Sequence, residues 1–387
     1  MKHRDTKVTK GSLTRPGKAR DSGYIDLFNR EIRDAFQDAL KATLRHPSLA
    51  LFFTRTAVAQ RRSAARRLKW EKQGVHVPPL LIASITGKCN LKCRGCYARG
   101  ARWAGVKELT TARWQEIFRE AQELGISLIM LAGGEPLTRP EILDVTRRFP
   151  DVIFPLFTNG MLLDEALVRR LKRLRHVIPV ISVEGFELET DARRGSGVYD
   201  RVRDVIRRLE GRDIFFGVSL TVTRRNFPLL TGEGFFREFH DAGCRLFIYV
   251  EYTPFEEGTE ELVILPKQKV ELEARIENLR RQYRSVVVSF PGDEEQYGGC
   301  LAAGRGFIHV APDGSLEPCP FAPYSDTSLR SMALRDALKS GLLEKIRANH
   351  GKLSETRGGC ALWENREWVR GLVETRSTKL EYRNKPQ

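Results

Sequence analysis

Between Leu80 and Tyr252 the chain repeats one rhythm: a short apolar run, then an amphipathic helical pattern. The apolar runs are Leu80–Thr86, Ile126–Leu131, Val152–Thr158, Val177–Val183, Phe215–Thr223 and Leu246–Tyr252. Between them lie helical patterns such as Ala112–Leu124, Glu141–Phe149, Leu163–Leu174, Tyr199–Leu209 and Gly234–Ala242. Six β-then-α units in succession predict an α/β fold built on a parallel sheet with right-handed crossovers. Six are fewer than the eight of a closed barrel, so a partial barrel and a doubly wound sheet both fit.

The flanks read differently. Residues 1–79 form an extension whose first 22 residues are polar and expected to be loose. Helical periodicity runs from Ile25 to Leu44, breaks at Pro47, and resumes as a basic amphipathic stretch through Lys72 before Pro78-Pro79. From about Ser285 the rhythm changes. Val286–Phe290 and Gly306–Ala311 are strand-like, Pro312-Asp313-Gly314 is a turn signal, and Ser331–Asn349 is helical. This predicts three parts: an extension over 1–79, the β–α unit over 80–284, and a small C-terminal domain over 285–387. The charged N-terminus does not read as a signal peptide. No apolar run approaches the roughly 20 residues that span a bilayer. The expected location is therefore the cytoplasm.

Seven cysteines stand at 89, 93, 96, 244, 300, 319 and 360. An odd number in a reducing compartment argues for ligands over disulfides. Cys89-Asn-Leu-Lys-Cys93-Arg-Gly-Cys96 directly follows the first apolar run. Three thiolates on one loop can hold three irons of a [4Fe–4S] cube. The fourth iron would be open to a ligand that is not protein, an arrangement suited to chemistry more than to electron storage. A structural zinc site would need a fourth protein ligand, and the nearest upstream histidine, His76, lies before Pro78-Pro79.

Cys-x3-Cys-x2-Cys after a first strand resembles the hallmark of the radical S-adenosylmethionine (SAM) superfamily. Gly133-Gly134-Glu135-Pro136, one β–α unit later, looks like that family's GGEP motif. The resemblance implies a partial (β/α)6 barrel of the TIM type and a [4Fe–4S] cluster on Cys89, Cys93 and Cys96 that binds SAM. It also implies an external flavodoxin- or ferredoxin-like electron donor, and reductive cleavage of SAM to methionine and a 5′-deoxyadenosyl radical that abstracts hydrogen from substrate. Gly133, Gly134 and Glu135 would receive SAM. Ser182, in Ile-Ser-Val-Glu-Gly185, and Arg194, in Arg-Gly, resemble further SAM-site positions, with Arg194 as a partner for the SAM carboxylate. Glu184, Thr221, Thr223, Asn226 and Glu251 also sit at strand ends, where barrel sites are built. Many relatives carry an aromatic before the third cysteine. Here Gly95 stands there, and Tyr97 is the candidate for holding adenine.

Cys300, Asp313-Gly314 and Cys319-Pro320 resemble the start of the SPASM or twitch extension of this superfamily. The later dense cysteine run of a full SPASM domain is absent, leaving Cys360. This implies one auxiliary cluster, [4Fe–4S], on Cys300, Cys319 and Cys360. Cys244, before the last apolar run, reads as a buried structural thiol.

The net charge of +16 is concentrated at one end: residues 1–80 hold 18 Lys/Arg against 7 Asp/Glu. That stretch reads first as the solvated face of a helix packed on the barrel. Next comes a peripheral contact with an anionic membrane through Leu49–Phe53 and the basic residues 61–72, and then nucleic acid. Readings from other classes are a non-catalytic iron–sulfur electron carrier and a zinc-containing nucleic-acid-binding protein. The substrate is open among peptide, lipid and cofactor precursor.

Overall fold

The computed structural model describes residues 23–44, 46–98, 103, 105–290, 297–353 and 360–374. The polar residues 1–22 and Gly358-Gly359, both read above, lie outside them. One nine-stranded sheet organises the chain, in the order β7-β6-β5-β4-β3-β2-β1-β8-β9. Its strands are β1 (Leu80–Thr86), β2 (Leu128–Gly133), β3 (Phe154–Thr158), β4 (Val177–Val183), β5 (Gly217–Val222), β6 (Leu246–Glu251), β7 (Val286–Phe290), β8 (Phe307–Val310) and β9 (Leu316–Glu317). All neighbours run parallel except the antiparallel β8–β9 pair. The six expected strands therefore stand in sequence order as an open parallel sheet. The two strand-like runs of the C-terminal part extend that sheet at both ends, β7 beside β6 and β8 beside β1.

Near-continuous apolar strands need both faces covered. One face receives the helices of the crossovers: α3 (Thr111–Leu124), α4 (Ile142–Thr146), α5 (Glu165–Arg173), α6 (Glu187–Arg194), α7 (Val198–Glu210), α8 (Phe227–Leu230), α9 (Glu233–Asp241) and α10 (Pro266–Gln282). Helix α3 starts where Thr110 Oγ1 accepts the Arg113 amide at 3.1 Å. It buries Trp114, Ile117, Phe118 and Ala121, with Phe118 set 5.4 Å from Phe154 of β3. Helices α11 (Leu334–Ala337), α12 (Gly341–Ala348), α13 (Ala361–Glu364) and α14 (Arg366–Glu374) follow the last strand.

The N-terminal extension closes the opposite end of the sheet. Helices α1 (Gly23–Ala42) and α2 (Pro47–Glu71) contribute Ala39, Leu49 and Phe53 to a second apolar cluster. Its other members are Ile153, Ile178, Phe215, Leu246 and Val286, at or beside the N-terminal ends of strands, and Val180 within β4. Phe53 is 1% exposed and meets Phe215 edge-on at 4.8 Å. The apolar run Leu49–Phe53 is thus spent largely on packing. Part of the basic stretch is spent likewise. Arg67 is buried, and burial lowers its pKa to about 10. It donates to Gly125 O at 2.7 Å, just past the end of α3, and to Asn29 of α1 at 2.6 Å. A cation there also complements the carbonyl end of α3. Among the described residues, no helix is long and apolar enough to cross a membrane.

A buried hydrogen-bonded chain ties the C-terminal strands to β1. Ser84 Oγ lies 2.7 Å from His309 Nε2, and His309 Nδ1 lies 2.8 Å from Glu317. Replacing Phe53 by Ala should lower stability by about 3–5 kcal/mol, the usual effect of emptying an aromatic site in a core. A urea titration of the folded chain measures this directly. A loss below ~1 kcal/mol would mean that α2 does not plug the sheet.

Candidate active site

The cysteine loop leaves β1 at Thr86 and is fixed from two sides. On the first side, the end of β2 docks against it. The amides of Gly134 and Glu135 donate to Thr86 O and Lys88 O at 2.7 and 2.8 Å. This approach is so close that a Cβ on Gly134 would sit 2.1 Å from Lys88 O. Gly133, at φ +119°, would place its own Cβ 2.5 Å from Thr86 O. Only the Gly-Gly pair permits such backbone contact. The Glu135 carboxylate is buried, yet it accepts from Leu137 N at 3.0 Å, Thr158 Oγ1 at 2.9 Å and Asn159 N at 2.8 Å. Burial raises its pKa, against the opposing pull of those hydrogen bonds. Asn159, at the end of β3, continues the linkage by donating to Asn90 at 2.8 Å, with Nδ2 3.8 Å from Cys89 Sγ.

On the second side stands the end of α6. Arg94 N donates to Arg193 O at 3.0 Å, and Arg193 Nε returns a bond to Arg94 O at 3.1 Å. Both arginines converge on the buried Glu184, which lies just past β4. Arg194 donates from Nε at 2.9 Å and from Nη2 at 2.5 Å. Arg193 Nη1 lies 2.7 Å from the other oxygen, as an ion pair that is not aligned as a hydrogen bond. Burial disfavours the Arg193 cation, but Glu184 outweighs it and holds the charge firmly. The sequence offered Arg194 as a partner for a ligand carboxylate; its guanidinium is paired with a carboxylate of the protein itself.

Asn226 closes the end of β5. It accepts from Thr223 N and Oγ1 at 2.7 and 2.9 Å and donates to the carbonyls of Glu184 and Thr221 at 2.8 and 3.0 Å. Ser182 of β4 is half-buried and stands in register with Ser219 of β5. Glu251 is buried at the end of β6.

Cys89 is exposed, and Cys93 and Cys96 are partly exposed. Burial raises the thiol pKa of Cys89 and Cys93, and the neighbouring cysteines raise both further, so the three groups share one electrostatic environment. Arg194 and Arg193 pull the Cys93 value the other way. Partly accessible, mutually coupled thiols beside two fixed cations suit a cluster of irons, with each thiolate on its own iron. Among the described residues no three His, Cys, Asp or Glu side chains gather around a single-ion position.

The remaining cysteines divide by hydrogen bonding. Cys89, Cys300 and Cys319 each accept the backbone amide two residues on, from Leu91 at 3.5 Å, Ala302 at 3.4 Å and Phe321 at 3.5 Å. Cys244 instead donates to Leu246 O at 3.4 Å, and burial pushes its pKa up to about 12, as befits an inert core thiol. The loop of Cys300 is joined to that of Cys319 through Ala303 N to Pro318 O at 3.0 Å. Cys360 is buried at the start of α13.

Three features escaped sequence reasoning. Gly95 has φ +62°, and a Cβ there would lie 2.5 Å from Tyr252 Oη, so Tyr252 fills the room that a side chain at 95 would take. Gly95 N also donates to Glu256 at 3.2 Å. Finally, Tyr97 joins an aromatic cluster. It lies 5.6 Å from Phe321 and 6.3 Å from Phe255, and Phe255 lies 4.6 Å from Trp363. The cluster stands between Cys96 and the segments of Cys319 and Cys360. The lone signal in the sequence was the missing side chain at 95.

Residues 83–226 match the family model of the Radical SAM superfamily. The chain is 27% identical over 327 residues to the AdoMet-dependent heme synthase of Methanosarcina barkeri, covering 76% of this chain and 91% of that protein. It is also 27% identical over 326 residues to the mycofactocin maturase MftC of Mycobacterium tuberculosis, covering 76% and 81%. Among solved structures, Streptococcus suis SuiB bound to its precursor peptide SuiA aligns with a TM-score of 0.58 at 17% identity, over 77% of this chain and 71% of that one.

Gly134→Ala should push the cysteine loop off β2. We expect iron bound at Cys89, Cys93 and Cys96 to fall and SAM cleavage to drop by roughly tenfold or more, since ~1.4 kcal/mol of misfit is already tenfold. Iron analysis and 5′-deoxyadenosine yield read the two effects; normal values for both would refute the docking role.

Proposed function

The chain is a radical SAM enzyme with a C-terminal extension, and from that premise we propose that it abstracts hydrogen from a peptide or a cofactor precursor at the C-terminal ends of its strands. The observation that carries this is the docking of Gly134 and Glu135 onto the loop of Cys89, Cys93 and Cys96. Cys89, Cys93 and Cys96 would hold a [4Fe–4S] cluster, which with SAM would supply the electron for reductive C–S cleavage and the hydrogen-abstracting chemistry of the family.

The residues around the cysteines do the rest. The amides of Gly134 and Glu135 are committed to the loop, so the motif offers carbonyl oxygen to the SAM ammonium group. Ser182, Arg194, Thr223 and Asn226 would frame SAM at the ends of β4 and β5, and Tyr97 would stand beside its adenine. Arg194 and Asn226 act chiefly by fixing Glu184 and the strand ends, because their polar atoms are already paired. Tyr97, Phe255, Phe321 and Trp363 would keep water from the radical. The exposed Lys88, Lys92 and Arg94 rim the loop and suit an acidic flavodoxin- or ferredoxin-like electron donor. Cys300, Cys319 and Cys360 would hold one auxiliary [4Fe–4S] cluster, which makes 285–387 a functional unit beside the SAM-binding unit of 80–284. The substrate classes are those named for the relatives, a heme synthase and peptide-modifying maturases.

Anaerobically reconstituted protein reduced with dithionite should form 5′-deoxyadenosine from SAM. The Cys89→Ala, Cys93→Ala, Cys96→Ala triple variant should form none. Continued cleavage by that variant would overturn the assignment.

The outer face of α2 supports a second reading, peripheral association with an anionic lipid surface. Leu51, Val58 and Leu68 are 53%, 46% and 59% exposed there, among the exposed Arg55, Arg61, Arg62, Arg66 and Lys69. Aliphatic side chains interleaved with cations fit a lipid interface better than they fit nucleic acid, which favours aromatic platforms. Changing Leu51, Val58 and Leu68 together to Ser should weaken co-sedimentation with anionic vesicles by about tenfold or more. Unchanged binding would show that charge alone is responsible, and absence of binding in the parent would end this reading.

A further inference from the structure

The loop that carries Cys300 is shaped by a single buried cation. Arg305 is 4% exposed and donates Nη1 to the carbonyls of Gly299 and Cys300, at 2.8 Å each, and Nη2 to Tyr297 O at 2.8 Å. The backbone from 297 to 300 thus wraps around one guanidinium, which holds the carbonyls of Tyr297, Gly299 and Cys300 together.

What positions that guanidinium comes from the other end of the chain. Its central carbon lies 4.2 Å from the ring centroid of Tyr24, in the first turn of α1. An arginine held over an aromatic face, away from water, is attracted to it. His76, just after α2, lies 3.2 Å from Arg305 O and 3.4 Å from Tyr24 Oη. Glu71 of α2 lies 2.8 Å from the other nitrogen of His76, and hydrogen bonding from His76 lowers the Glu71 pKa. Two further contacts bind the loop to α1: Tyr297 donates its hydroxyl to the Glu31 carboxylate, and its ring meets Phe28 edge-on at 5.8 Å. Three consecutive turns of α1, at Tyr24, Phe28 and Glu31, therefore lie against one cysteine loop. The loop of Cys89, Cys93 and Cys96 is held instead by β2 and α6.

We propose that α1 is a brace that positions Cys300 for assembly of the auxiliary iron–sulfur cluster, so that the N-terminal extension serves the C-terminal cluster and not the SAM-binding one. The inference rests on the reading of Cys300, Cys319 and Cys360 as cluster ligands. Tyr24, Phe28 and Glu31 are positioning residues: they touch the loop, not the iron. The extension's conspicuous basic charge is incidental to this role, which is carried by two rings and a carboxylate.

The test uses the full-length Cys89→Ala, Cys93→Ala, Cys96→Ala protein, in which only the C-terminal cysteines can hold a cluster. After anaerobic reconstitution with ferrous iron and sulfide, this parent should retain about four irons per chain. Adding Tyr24→Leu with Phe28→Ala should bring iron below about one per chain and abolish the cluster's visible absorption, while far-UV circular dichroism and cooperative unfolding persist. Tyr24→Phe, which keeps the ring beneath Arg305, should retain the parent's iron. With all cysteines present, the same pair should halve total iron, from about eight to about four. Should the double variant not fold, Tyr24→Leu alone carries the test. Parental iron in the Leu and Ala variants would overturn the brace while leaving the auxiliary cluster intact. An iron-free parent would overturn both readings, and so separates the two failures.

Discussion

Two backbone hydrogen bonds, from the amides of Gly134 and Glu135 to the carbonyls of Thr86 and Lys88, decide where the loop of Cys89, Cys93 and Cys96 stands. They form because no side chain intervenes at 133 or 134, and they turn the end of one strand into the seat of a loop from its neighbour. The pairing of β1 with β2 is regular up to Ser84 and then shifts before Thr86, so the loop leaves the sheet at the point where β2 can reach under it. The carboxylate of Glu135 extends the same contact to β3, and the Arg193–Arg94 exchange secures the opposite side. A loop that would otherwise be mobile becomes part of the sheet's edge, with its three sulfurs in a common field.

Much of the fold was legible because parallel strands buried on both faces write themselves as apolar runs. The expected run Val177–Val183 coincides with β4, and Leu80–Thr86 with β1. Helix α6 was not legible. Its stretch Glu187–Arg194 is mostly charged, leaves its one leucine, Leu188, exposed and buries only Thr190, so it has no apolar stripe to detect. Helix α10 was missed for a related reason, since Leu272, Ile276 and Leu279 are its only buried residues along a largely polar stretch. The partners of β7 and β8 were equally hidden. A strand's sequence states that it is buried, but not which distant edge it joins.

The site divides along the same line. The local pattern fixed which cysteines share a loop and which motif follows a strand later. It was silent on contacts made across the fold: Tyr252 over Gly95, Phe321 against Tyr97, and Glu184 between two arginines. The extension shows the limit most clearly. Its composition read first as a solvated helix face packed on the barrel, but did not say which side chains pack: Phe53 plugs the sheet, Arg67 caps a helix, and Tyr24 lies beneath Arg305. Residue type reveals which interactions are available; only the fold chooses among them.

The chain from Ser84 to His309 and Glu317 also bears on the order in which the molecule can be built. Ser84 and His309 are 225 residues apart in sequence. During synthesis β1 can pair with β2 early, but its other edge must wait for β8. Such a non-local pairing slows folding, and an unpaired strand edge is a template for association with other chains. The strand that leads into the loop of Cys89, Cys93 and Cys96 therefore keeps one edge open until β8 is made. A ribosome-bound chain has made Cys89, Cys93 and Cys96 long before the strand on the far side of β1 is finished.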